Sequence, residues 1–444
     1  MSYKSAKSSG GVKTEMKYLI IGLSAAGVSA IESIRKLDKK SEIVVVTEEN
    51  YPYIYSRCLL SYYLAGDIPE EKIKYREDNF FKENNVEVIF GKKVEKVIPQ
   101  RNLVVLSSGE TISYDKVLIA TGARSKMEEI PGVEQYGVFV LRNIKDAKNI
   151  MDIIPKCKEA VILGGGLIGL RAAYALFKRG MKVNVVVKSP HILSQIVAKE
   201  EAEIIQSYVV SHGINVLTNL AAKEILSVGG NLIVVLENNE KLSCQLVIIG
   251  KGVQPNIELV KDTNVKTNYG IVVNEFMQTS VDNIYAAGDV AEYYDITTNE
   301  YTINALWPNA VIQGKIAGIN MVEGNTKKYE GTLANNSIDF FGLPLISCGI
   351  TKPKTKEFEI LVKKDLRKNV YKKIVLKNNI IVGFVLIGKI ENAGIYRELV
   401  RKQVDISLIK HQILDENFDF SNIVPLINQQ KEKFKEKEYQ EIII

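Results

Sequence analysis

The sequence predicts an α/β protein assembled from two units of one architecture, each a strand, a glycine-marked turn, a helix and a second strand. Three observations carry that prediction. Lys17 to Glu49 runs from an apolar strand into Gly22-Leu23-Ser24-Ala25-Ala26-Gly27, then into helical spacing, then into a second apolar strand. Ala160 to Leu163 leads in the same way into Gly164-Gly165-Gly166-Leu167-Ile168-Gly169. Each unit also closes on an apolar strand, Val117 to Ala120 running into the small residues Thr121-Gly122-Ala123 in the first, and Leu246 to Ile249 running into Gly250-Lys251-Gly252 in the second.

In the first unit, Tyr18 to Ile21 and Ile43 to Val46 are the strands, and Ala26, Val28, Ile31, Ile34 and Leu37 repeat at helical spacing between them. Gly22 permits the tight turn and Gly27 the close approach of helix to strand, while the open helix N-terminus offers N–H groups to a pyrophosphate. Ser24 stands where a middle glycine is usual and is small enough to keep the approach open. Glu48, at the end of the second strand, is placed to take ribose hydroxyls. A turn at Pro52 leads into a helix with Leu59, Leu60, Tyr63 and Leu64, which carries Cys58, the first candidate redox residue. Short strands follow at Val86 to Phe90 and Leu103 to Leu106, and Ser125 to Lys156 reads as a connection.

The second unit has the full GxGxxG pattern at Gly164, Gly166 and Gly169, between a strand and a helix. Two such units in one chain predict two dinucleotides held at once and electrons passed between them. At the end of its second strand Lys188 stands where an acid would read an unphosphorylated ribose. A lysine there can pair with a 2'-phosphate, favouring NADPH, or be a solvated surface residue that tolerates NADH. Strands around Val216, Ile225 to Val228 and Leu232 to Leu236 come before Leu246 to Asn256, after which the first unit resumes. Thr279 to Asp289 reads as a short strand ending in Gly-Asp before a helical start, with Asp289 set to accept from a sugar-alcohol hydroxyl or to cap the helix.

The bulk numbers fit this reading. With 444 residues, 46% apolar and 25% charged, the chain has room for about three folded domains. No apolar run reaches the ~18 residues of a membrane helix and the N-terminus has no signal-peptide core, so a cytoplasmic protein off the membrane is expected. The net charge of +6 is spread along the chain and predicts no nucleic-acid surface. The four cysteines, Cys58, Cys157, Cys244 and Cys348, match neither a metal-site nor a CxxC spacing, so no metal and no structural disulfide are expected.

Four stretches in order, GLSAAG with Glu48, VLIATGA, GGGLIG and TSVDNIYAAGD, resemble the two-dinucleotide-binding-domain flavoproteins of the pyridine nucleotide-disulfide oxidoreductase family over nearly the whole chain. The resemblance implies two Rossmann-like domains, an FAD domain at 1–125 and 255–328 and an NAD(P) domain inserted at 126–254. A C-terminal α+β interface domain follows at 329–444, with a charged tail. It implies FAD at Gly22, Ser24, Gly27, Glu48, Thr121, Gly122 and Asp289, and NADH or NADPH at Gly164, Gly166, Leu167, Ile168, Gly169, Lys188 and Gly252. YSRCLLSYYLAG and LWPNA resemble NADH:rubredoxin and ferredoxin reductases and the flavin module of nitrite reductases, which puts Arg57 by the FAD pyrophosphate and Trp307 near the flavin ring. A lysine–glutamate pair found near the flavin in several relatives is replaced by Tyr62 and Arg171. NSIDFFGLP and IENAGIYRELVRKQVDIS resemble the interface domain of this branch and imply a homodimer, while Gln430 to Gln440 reads as a solvated helix or frayed end.

The leading expectation is therefore an FAD-dependent NAD(P)H oxidoreductase that passes electrons to a small iron protein of rubredoxin or ferredoxin type, FAD supplying the two-to-one electron step. The alternative is a single-cysteine thiol enzyme using Cys58, a coenzyme A disulfide or persulfide reductase or an NADH oxidase or peroxidase. Leu59 replaces the glycine that follows the cysteine in those enzymes. A scaffolding flavoprotein subunit is a third reading, opposed by the complete nucleotide sites.

Overall fold

Residues 15–436 are described by the computed structural model of the chain. Strands β1 (Lys17–Ile21), β2 (Glu42–Val46), β3 (Glu87–Ile89), β4 (Lys116–Ile119) and, from far along the chain, β9 (Ile284–Ala286) form a parallel sheet in the order β9-β4-β1-β2-β3. The last four residues of both β1 and β2 are buried, as strands covered on both faces must be. Helix α1 (Ala25–Leu37) covers one face and packs on α6 (Trp307–Glu323), where the stripe Gly314 and Gly318 allows near backbone contact. A Cβ on Gly314 would lie 2.1 Å from the Ala26 carbonyl oxygen.

A second parallel sheet contains β5 (Glu159–Leu163), β6 (Lys182–Val187), β7 (Asn215–Thr218) and β8 (Leu246–Ile249), in the order β7-β6-β5-β8 with Val138–Phe139 at the far edge. Two helices, α4 (Leu167–Lys178) and α5 (Lys199–Ser211), belong to this unit. Two short antiparallel strands, Ala123–Ser125 and Val253–Pro255, carry the chain into this unit and back. The stretch read as a connection, Ser125 to Lys156, holds a helix as well, α3 (Ile144–Ile153), closed by a capping box of Asn143 and Asp146. Ile144, Ala147, Ile150 and Ile153 are its buried face.

The third sheet is antiparallel, β10 (Asn335–Phe340), β11 (Leu343–Gly349), β12 (Glu359–Asp365), β13 (Val370–Lys377) and β14 (Ile380–Ile387) in the order β10-β11-β14-β13-β12. Helices α7 (Ala393–Arg401) and α8 (Phe420–Gln429) complete that unit's core. The charged run expected to be solvated or frayed is docked here as far as Glu436: Phe434 is fully buried, and Glu436 pairs with Arg401 at 3.0 Å and with Lys402 at 2.6 Å. The rest of that run, from residue 437, lies outside the described residues.

A buried ion pair joins the second and third units. Glu201 of α5 is wholly buried and contacts the ammonium of Lys373 on β13, itself only 6% exposed, while Glu200 accepts from Tyr371 at 2.9 Å. Lys373 is the counter-charge of the buried Glu201 carboxylate, beside which the Tyr371 hydroxyl also lies. Lys373→Met is expected to cost about 3 kcal/mol of stability, the lower end for orphaning one member of a buried pair. Chemical denaturation at neutral pH checks it, and a parent-like midpoint would show that Glu201 finds another partner.

Candidate functional site

Both glycine turns are built alike. Gly22 has φ +109° and Gly164 φ +126°, and a Cβ on them would come 2.2 Å from the Ala120 and 2.3 Å from the Gly250 carbonyl oxygen. One turn on, a Cβ at Gly27 would lie 2.1 Å from the Gly22 carbonyl oxygen, and at Gly169 2.0 Å from that of Gly164. Only glycine lets these helices start where they do. What starts there is open to an anion. Ser24, at the N-cap of α1, makes no side-chain cap bond; Gly166, at the N-cap of α4, has nothing within 4 Å of where a Cβ would be; neither first turn holds an acid. The leading N–H groups of both helices are thus left for a ligand, in the geometry that binds pyrophosphate. Leu167 and Ile168 head α4, with Ile168 50% exposed. Exposed Lys188 directly follows β6, and Gly252 directly precedes the return strand Val253–Pro255, its carbonyl accepting from Lys126 N at 2.9 Å.

Around the first turn the structure gathers residues from remote parts of the chain. Glu48 is exposed at the end of β2, free to meet a ribose, while its neighbour Glu49 turns inward to accept from Arg57 at 2.5 Å and from the Tyr55 hydroxyl at 2.7 Å. Arg57 also donates to the Arg142 carbonyl at 3.0 Å. The Arg142 guanidinium lies against Gly122, donates to the Ala123 carbonyl at 3.0 Å and pairs with Asp289 at 2.6 Å. Thr121 is strapped to Asn256 by two reciprocal bonds, its hydroxyl to the Asn256 carbonyl at 2.9 Å and the Asn256 amide to its own carbonyl at 3.0 Å. Glu49, Arg142 and Asn256 were not singled out in the sequence; each lies next to or opposite a residue that was. For Asp289 the expected helical start is wrong. Gly288 turns at φ +82° into a strand, Ala291–Tyr294, so Asp289 caps no helix and its carboxylate is committed to Arg142 instead.

Trp307 is the first residue of α6 and packs edge-on against Tyr75 at 5.0 Å. Cys58 sits in a single 3-10 turn, Arg57–Leu59, directly before α2 (Leu60–Ala65). Desolvation pushes its thiol up, the charge of Asp289 adds to that, and a hydrogen bond with Ser56 opposes it. The residue is exposed, which tempers the effect; its direction is what bears on the chemistry. The replaced pair, Tyr62 and Arg171, does meet: the guanidinium lies 3.9 Å from the ring centroid. Among the described residues no cluster of His, Cys, Asp and Glu could hold a metal ion, and no helix is long and apolar enough to cross a membrane.

Two open helix N-termini, each over a glycine turn at the carboxyl edge of a parallel sheet, are what two dinucleotides require. The family model for pyridine nucleotide-disulphide oxidoreductases matches residues 16–314. The chain belongs to that family. It is an FAD-dependent NAD(P)H oxidoreductase. Residues 335–404 match the rubredoxin NAD+ reductase C-terminal domain. Among curated relatives, the epsilon subunit of NADH-dependent phenylglyoxylate dehydrogenase from Aromatoleum evansii is 30% identical over 90% of this chain and 94% of its own. An NADH oxidase from Methanocaldococcus jannaschii is 35% identical over 76% of each chain, and the NADH-rubredoxin oxidoreductase of Clostridium acetobutylicum 31% identical over 75% of this chain and 81% of its own. This chain spans only about half the length of two further relatives from Bacillus subtilis, the assimilatory nitrate reductase electron transfer subunit (51%) and nitrite reductase (48%). Of solved structures, an NAD-dependent persulfide reductase from A. fulgidus superposes with TM-score 0.85 at 23% identity, over 94% of this chain and 84% of that one. The C. acetobutylicum NADH:rubredoxin oxidoreductase superposes with TM-score 0.73 at 26% identity, over 93% of this chain and all of that one (100%).

Proposed function

We propose that this family member carries electrons from NAD(P)H through FAD to a small iron protein of rubredoxin or ferredoxin type. In this reading the FAD unit is 1–125 with 255–328, and Gly22, Ser24, Gly27, Glu48, Arg57, Thr121, Gly122, Asp289 and Trp307 hold FAD, joined by Arg142. The inserted unit, 126–254, takes NAD(P)H at Gly164, Gly166, Leu167, Ile168, Gly169 and Gly252, with Lys188 at the adenosine end. The third unit, from 329, is the interface domain. The flavin accepts a hydride and releases electrons singly; the chain orients the nicotinamide and keeps competing reactions out.

The observation that carries this choice of acceptor is the condition of Cys58. A thiol nucleophile needs a depressed pKa or an adjacent base. Here desolvation and the charge of Asp289 push the thiol up, outweighing a hydrogen bond with Ser56 and the charge of Arg142, while Arg57 is paired with Glu49 at 2.5 Å. Leu59, in place of a small residue, packs against the core beside it. Outer-sphere transfer to an iron centre needs no thiol at all.

Cys58→Ser is accordingly expected to keep NAD(P)H-dependent reduction of rubredoxin or ferredoxin within about threefold of the parent, since a residue outside the chemistry leaves the barrier unchanged. Because the thiol pKa is raised, alkylation of Cys58 should climb with pH through the ordinary thiol range without levelling off inside it. A loss of roughly a thousandfold in the serine variant, of the order seen when a nucleophile is removed, would transfer the assignment to the thiol enzymes. So would a thiolate-to-flavin charge-transfer band that disappears with the sulfur.

A further inference from the structure

One side chain touches all three units. Arg171 opens the second turn of α4, two residues after Gly169. Its guanidinium stacks 3.9 Å from the centroid of Tyr62, Nε donates to Ser61 Oγ at 3.1 Å, and Nη1 donates to the Asp339 carbonyl at 3.2 Å. Ser61 and Tyr62 belong to α2, which continues directly from Arg57 and Cys58. Asp339 belongs to β10 of the third unit, two residues before the tip of the β10–β11 hairpin.

That tip is itself a plug. Phe341 has φ +53°, a left-handed backbone that a bulky residue adopts only when its surroundings impose it. Its ring stacks on His212 with centroids 4.6 Å apart and 15° between planes, and meets Tyr174 and Phe177 of α4 edge-on at 5.0 and 5.4 Å. The Tyr208 hydroxyl donates to the Phe341 carbonyl at 3.3 Å. By contrast, the covalent link between the two parallel sheets is a two-stranded ribbon of three residues a side, Ala123–Ser125 on Val253–Pro255. A ribbon of that kind is marginal on its own and twists readily, so the orientation of α4 relative to α2 must come from side contacts. At its far end α4 is held by Arg179, which donates to the Leu64 carbonyl at 2.8 Å. Between the ends, Leu60, Tyr63 and Leu64 of α2 share a buried apolar core with Leu170, Ala173 and Leu176 of α4, and at the near end Arg171 adds the polar tie.

We propose that Arg171 and Phe341 are positioning residues for hydride transfer. They fix the N-terminus of α4, and with it the nicotinamide, against the flavin side of the molecule, through a hairpin that belongs to neither nucleotide unit. The proposal rests on the reading of the α4 N-terminus as the NAD(P)H site. Its physical basis is the steep dependence of transfer rate on the alignment of the two rings: a displacement of about 1 Å can cost about a hundredfold.

The test is anaerobic stopped-flow reduction of the holoenzyme by NADH and NADPH, separating the limiting rate from the dissociation constant. Arg171→Leu breaks the node, and Phe341→Gly removes the ring while suiting the left-handed backbone. Each should lower the limiting rate about 10- to 100-fold, with FAD content and NAD(P)H affinity within about threefold. Arg171→Lys should fall nearly as far, because an ammonium keeps the charge but not the fork that reaches Ser61 and Asp339 together. Limiting rates within about threefold of the parent in both of the first two variants would overturn the proposal. Full rescue by lysine would also overturn it, by showing that charge and not placement is what counts, as would lost affinity at an unchanged limiting rate. Should Arg171→Leu not fold, the Phe341→Gly and Arg171→Lys results decide by the same criteria. If Gly169→Ala leaves reduction by NAD(P)H untouched, it is the placement of the nicotinamide site that fails, and the node is not at issue.

Discussion

Asp289→Ala is expected to yield a nearly colourless protein. Its carboxylate is 16% exposed, sits at the end of β9 where the first glycine turn opens, and is the only acid paired to Arg142 among the described residues. In the proposed FAD site, removing it takes away an acceptor for a sugar-alcohol hydroxyl, an interaction worth about 1.5–3 kcal/mol where a charged group takes part. It also strips Arg142 of its counter-charge while that guanidinium still lies against Gly122. That unpaired charge destabilises the apoprotein and does not repel the anionic cofactor, so the lost acceptor sets the effect, a weakening of FAD binding by about ten- to a hundredfold. Asp289→Asn, which keeps an acceptor oxygen but not the charge, should fall between the two. Flavin absorbance per polypeptide after purification and dilution is the measurement. Full occupancy in the alanine variant at nanomolar protein would mean that Asp289 serves Arg142 alone and that the flavin is held elsewhere.

The parts of this site that could be read from the sequence are those in which one short segment supplies both the structural constraint and the chemistry. The two glycine turns are of this kind: strand period, positive φ, close approach and helix start all lie within a few neighbouring residues, so the residue pattern alone carries the geometry. The helix α3 had a local signal too, Asn143 and Asp146 in a capping box before an apolar 3.6-residue repeat, and reading its segment as a mere connection overlooked it. What could not be read is what tertiary structure brings together. Arg142 reaches Asp289 across 147 positions, and Asn256 reaches Thr121 across 135. Whether Glu48 or Glu49 faces inward is decided by Tyr55 and Arg57 and not by spacing. Asp289 shows how a residue can be given a wrong local context: a helix start was expected after Gly-Asp, and the chain enters a strand. The stacking of Tyr62 on Arg171 depends on how α2 meets α4, a relation absent from either segment alone.

Gly169→Ala is expected to separate the two halves of the reaction. The added Cβ would sit 2.0 Å from the Gly164 carbonyl oxygen and 3.0 Å from its carbonyl carbon, both backbone atoms of the turn itself, so no flexible side chain can give way. Either α4 lifts off β5 or the turn opens, and in both cases the N–H groups that would hold the pyrophosphate move by a large part of an ångström. Misplacement of that size costs about a hundredfold through alignment alone, and weakened pyrophosphate binding multiplies it, so kcat/KM for NAD(P)H should drop by at least about a thousandfold. The first unit is separate from this turn. Its sheet is β9-β4-β1-β2-β3, and Gly27, not Gly169, sets its own helix. FAD content should therefore stay at the parent level, and flavin reduced chemically with dithionite should still pass electrons to the acceptor at the parent rate. If the variant instead loses FAD and NAD(P)H activity in proportion, the two turns are energetically one site. If it keeps parent-like reduction by NAD(P)H, the GxGxxG turn at Gly164 to Gly169 does not hold the nicotinamide dinucleotide.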